Sequence, residues 1–67
     1  MNTNAEIERA MRVILGYWRS GQDIPYLTEK VCNGFIDNLR SMGYFDRYEI
    51  EILRALNRAC LKDARGL

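Results

Sequence analysis

The sequence predicts an all-α domain, three helices folded up, down and up into one small bundle. Three observations carry that prediction. Apolar residues recur at i, i+3, i+4 and i+7 in three successive segments, and no strand-like alternation persists. Gly21 and Gly43 fall between those segments, and Pro25 opens the second. The links are about four residues long, which forces neighbouring helices to run antiparallel.

The first segment, Ala5 to Ser20, places Ile7, Ala10, Met11, Ile14, Leu15 and Trp18 on one stripe, with Thr3 or Asn4 available as N-cap. Gly21 stands where a left-handed residue would close the helix. Pro25 then takes the first position of the second segment, where its missing N–H is not needed. That segment, Pro25 to Met42, sets Leu27, Val31, Cys32, Phe35, Ile36, Leu39 and Met42 on the half expected to face the core. Gly43 ends it. The third segment, Arg47 to Ala64, has the clearest start. Asp46 and Glu49 have the spacing of a capping box, and Phe45 with Ile50 that of a hydrophobic staple. The first few residues and the last three are expected to fray.

Sixty-seven residues allow one domain. Burying about 60% of the unfolded surface contributes roughly 95 kcal/mol, against an ordering cost of about 100 kcal/mol. A chain so balanced needs support. Zinc is not the expected source, because the chain has no His and only two Cys, Cys32 and Cys60, whereas a closed site takes four N or S ligands. The start leads straight into a charged amphipathic stretch instead of a secretory signal. The expected compartment is therefore the reducing cytoplasm, with both cysteines free and buried as small apolar groups. No apolar run reaches the ~20 residues of a membrane span. Self-association or a partner protein remains as the expected support.

Catalysis finds little to work with. Without His there is no default general base, and the Ser–His, Cys–His and metal–His arrangements are all absent. The carboxylates are scattered, and no glycine-rich phosphate loop follows a strand. No cofactor, metal or catalytic residue is expected, and the chain reads as a non-enzyme.

Two surfaces carry the functional expectations. The third segment is apolar over about 240° of its circumference, where a surface helix needs little more than ~100°. With Ile50, Leu53, Leu56 and Cys60 facing the core, Tyr48, Ile52, Ala55 and Ala59 point away from it. Small residues flanked by larger apolar ones suit the close approach of another helix, with Arg54 and Arg58 as rim contacts. Val13 and Tyr17 repeat the excess more mildly on the first segment. This favours a helical interaction protein of inhibitor, antirepressor or adaptor type that docks on another protein, on itself, or both. Its size is that of small stand-alone regulators of phages and plasmids.

The alternative surface is basic. Arg54, Arg58, Lys62 and Arg65 form one line on the third segment, and Arg9, Arg12 and Arg19 cluster on the first. If the two converge, about seven cations could contact phosphates, and Asn57 would add base-edge donors. Against this, the net charge is only +1, and cations near a helix C-terminus are favoured by the helix dipole alone. A third expectation is a homo-oligomeric structural subunit using the same apolar face.

Overall fold

The computed structural model describes residues 4–21 and 23–66. It contains α1 (Asn4–Ser20), α2 (Pro25–Ser41) and α3 (Arg47–Ala64), each boundary within one residue of the expected one. No strand occurs among the described residues. Every helix touches both others, giving a three-cornered bundle of 35 × 19 × 18 Å. Of the two candidate caps of α1, Thr3 lies outside the described residues, and Asn4 is already helical.

The two links work differently. At the second, Gly43 adopts φ +69° and its N–H reaches the Arg40 carbonyl at 3.1 Å, the left-handed stop that the sequence implies. The Asp46 carboxylate accepts from the Glu49 N–H at 2.9 Å, and the Glu49 carboxylate accepts from the Asp46 N–H at 2.7 Å. The capping box is complete, and both staple residues, Phe45 and Ile50, are buried.

The first link corrects an expectation. Gly21 is not left-handed; its N–H still bonds back to the Tyr17 carbonyl at 2.9 Å, extending the helical pattern. Glycine is required there by crowding. The Thr28 hydroxyl, reaching back from the first turn of α2, donates to the Gly21 carbonyl at 2.8 Å with the Ile24 carbonyl at 3.1 Å. A Cβ on Gly21 would lie 2.2 Å from that hydroxyl oxygen.

The core is built on Ile14, Cys32, Ile36 and Leu53, all fully enclosed, with Ala10, Trp18, Phe45 and Ile50 around them. A second correction concerns α2. Leu27, Val31 and Met42, expected to face the core, are 55%, 49% and 70% exposed. Cys32 and Ile36 do face inward as expected, with Phe35 and Leu39 packed against the core, and the row they belong to is completed by Thr28. Thr28 can occupy it because its hydroxyl is satisfied by the link, and burying a bonded polar group is inexpensive. Leu15, expected on the α1 stripe, is also exposed.

Gly21→Ala should therefore lower stability by about 2 kcal/mol, a fall in Tm on the order of 10 °C for a domain this small. Gly16→Ala, where an added Cβ meets nothing within 4 Å, should raise stability by up to ~1 kcal/mol. Thermal unfolding followed by circular dichroism checks both.

Candidate interaction surfaces

One hydrogen-bonded chain, running from the core at Trp18 and Asn57 out to the exposed Asn33, fixes the rotation of α3 and hence what the molecule shows to its surroundings. The Trp18 indole N–H donates to the Asn57 side-chain oxygen at 2.7 Å. The Asn57 amide nitrogen in turn donates to the Asn33 side-chain oxygen at 3.1 Å and lies 3.4 Å from the Glu29 carbonyl. Asn57 is 2% exposed, so it does not add the base-edge donors that the nucleic-acid expectation allowed it. It is a core residue whose donors and acceptor are used up inside the bundle.

With Asn57, Ile50 and Leu53 turned inward, the opposite row of α3 must face out. Ala55 and Ala59 each stand two residues from Asn57, about 200° around the helix. Tyr48 and Ile52, 81% and 47% exposed, continue the row with the two exposed alanines. The four expected interface positions thus form one uncovered stripe, about 16 Å long at ~1.5 Å per residue.

The arginines named with that stripe behave differently. Arg54 turns toward α2, its guanidinium 3.5 Å from the Asp37 carboxylate and 3.6 Å from that of Glu51. It does not border the stripe, and as a phosphate contact it would first have to leave two acidic partners. Its rotation is set by its place near the α2–α3 seam, so the expected rim role falls to Arg58, which is exposed. Lys62 and Arg65 are exposed beside Arg58, Arg65 next to Pro25 and Tyr26 on the α2 side. Arg9 lies in the groove between α1 and α2, and Arg12 is exposed on the outer side of α1. Arg19 lies in the groove between α1 and the end of α3, beside Asp63, so the three α1 cations do not share one surface.

A second apolar surface lies where α1 and α2 meet, the least intimate of the three helix junctions. Val13 and Tyr17 of α1 stand beside Phe35 of α2, with the Tyr17 and Phe35 rings edge to face at 6.4 Å. Val31, Leu27 and Met42 extend it along α2. A shallow groove of about 260 Å³ runs through it beside Tyr44. The Tyr44 hydroxyl donates to the Glu6 carboxylate, which together with slight desolvation raises the phenol pKa. Only Val13 and Tyr17 were anticipated as surface here. The available signal was Thr28, which shares an i, i+4, i+8 row with Cys32 and Ile36.

The chemistry of the described residues is sparse. No group of three His, Cys, Asp or Glu side chains could hold a metal ion among them, and none of their helices is long and apolar enough to cross a membrane. Both cysteines are free. Burial, then the neighbouring Cys60, pushes the Cys32 thiol up to about 11, with the Trp18 N–H opposing. Burial, then Asp63, raises Cys60. Neither supplies a thiolate near neutral pH. Comparison with known protein families, curated proteins and solved structures finds no match to this chain.

Asn57→Leu strands the Trp18 N–H in the core and should cost about 2–3 kcal/mol, less when combined with Trp18→Phe, as measured by urea unfolding. At pH 8 the half-buried Cys60 should react with a neutral alkylating reagent well before the enclosed Cys32, whose modification should follow global unfolding. Peptide mass mapping over time distinguishes the two. Raised thiol pKa values also mean that the folded state holds these protons more tightly than the unfolded one, so stability should decline as pH rises above about 9.

Proposed function

We propose that this chain is a non-enzymatic helical interaction module that binds another protein through the outer row of α3 and alters that protein's activity by covering a surface. Inhibitor, antirepressor and adaptor roles all fit this mode. The observation that supports it is the stripe of Tyr48, Ile52, Ala55 and Ala59, which the bundle leaves uncovered although its own core closes without them. Tyr48 offers an amphipathic anchor of the kind that dominates interface energies, and the two alanines leave room for a helix or strand to approach. Arg58 on the flank adds a charged rim contact.

The alternative is a nucleic-acid regulator that uses the exposed cations Arg58, Lys62 and Arg65. It is the weaker reading, because Arg54 is engaged by Asp37 and Glu51 and Asn57 is enclosed. Titration with random duplex DNA at low salt tests it, and absence of binding there removes it.

For the main reading, a photo-activated cross-linker placed at Tyr48 in producing cells should yield one discrete protein adduct. Ala55→Glu should abolish that adduct while leaving the far-ultraviolet dichroism of the bundle unchanged. An adduct that survives Ala55→Glu, or no adduct at all, overturns the α3 surface as the docking site.

A further inference from the structure

Asn33 is the only asparagine of this chain that a glycine follows. That dipeptide carries a chemistry of its own. The backbone nitrogen after an asparagine can attack the carbon of the side-chain amide. A Cβ on the following residue obstructs that approach, and glycine has none. Nothing inside the bundle calls for glycine at position 34, where a Cβ would meet nothing within 4 Å and where glycine weakens a helix relative to alanine.

The folded bundle blocks the reaction in two ways. Gly34 lies within α2, so its N–H is committed to the carbonyl four residues back, and the helical backbone holds its nitrogen away from the side-chain carbon. The Asn33 side chain is held as well, its oxygen accepting from the Asn57 amide at 3.1 Å. Both holds vanish when α2 opens. No side chain caps α2 at Ile24 and no acid stands in its first turn, whereas α3 starts on a complete capping box. A small domain of marginal stability visits such open states repeatedly.

We propose that Asn33 is a self-modifying site gated by the opening of α2. The Gly34 nitrogen bonds to Asn33 Cγ, the Cγ–Nδ2 bond breaks, and the amide leaves as ammonia with the Gly34 proton. Water then opens the cyclic imide at one or other carbonyl, leaving aspartate or isoaspartate at position 33. The aspartate product keeps an acceptor for the Asn57 amide. It also stands four residues from both Glu29 and Asp37, so it folds at some cost in like-charge repulsion. The isoaspartate product has an extra methylene in the main chain of α2, which displaces the helical ladder and the acceptor together. That chain does not return to the bundle with α3 in its original rotation. Each opening of α2 therefore carries a fixed chance of irreversible loss, and the site sets a lifetime for the fold.

Incubation at mildly alkaline pH across a urea series, with peptide mass mapping at intervals, tests this. Conversion at Asn33 should rise with urea in parallel with unfolding. In the unfolded chain it should run on the order of tenfold ahead of Asn38 and Asn57, which are followed by Leu39 and Arg58. Below the unfolding midpoint, Gly21→Ala should speed conversion on the order of tenfold by raising the open population. Gly34→Ala should slow it even in full urea, where stability no longer matters. Isoaspartyl chains separated by chromatography should fail to recover the native dichroism when urea is removed, whereas Asn33→Asp should refold. Conversion no faster at Asn33 than at Asn38 in the unfolded chain overturns the site. A rate indifferent to urea or to Gly21→Ala overturns the gating, and isoaspartyl chains that refold with native stability overturn the lifetime.

Discussion

The hydrogen bond from the Trp18 indole to Asn57 is the constraint on which the remainder of the bundle turns. It crosses from α1 to α3, and Asn57 carries it onward to Asn33 on α2, so one polar chain holds all three helices in mutual register. In apolar surroundings such groups tolerate few alternatives, because any rotation that parts them leaves a buried donor without an acceptor. An all-apolar core of this size would permit several helix rotations of similar energy. Here the rotation of α3 is settled within a narrow range, and with it the identity of the outward row.

The first link imposes a comparable constraint on α2. The Thr28 hydroxyl closes onto the Gly21 carbonyl, which draws Thr28 inward and moves the Leu27–Val31 row one step round toward the surface. Local turn chemistry thus decides which apolar residues are surplus to the core. The apolar exposure along α1 and α2 follows from a hydroxyl–carbonyl bond at one end of the helix.

How much of this the sequence reveals depends on whether the deciding interaction is local. The helix bounds were legible because Pro25, Gly43 and the Asp46–Glu49 pair act within four residues of themselves. The outward row of α3 was legible because an apolar arc of about 240° cannot be covered by two neighbours. The rotation of α2 was not. Leu27–Val31 and Thr28–Cys32 are both spaced four apart, and apolarity favours the wrong pair unless the hydroxyl's partner is known. Asn57 was unreadable for a different reason: its bonding partner Trp18 is 39 positions away, and a polar residue between Arg54 and Arg58 looks like surface. Arg54 was misplaced because its acidic partner Asp37 sits on another helix.

The same hydrogen-bonded tryptophan has an optical consequence. It is the only one in the chain, it is almost wholly enclosed, and its indole nitrogen is tied to a side chain that itself touches the third helix of the set. Its emission wavelength therefore reports on the joint assembly of all three helices at once. The bundle carries its own intrinsic fluorophore at the point where loosening of any one helix becomes visible.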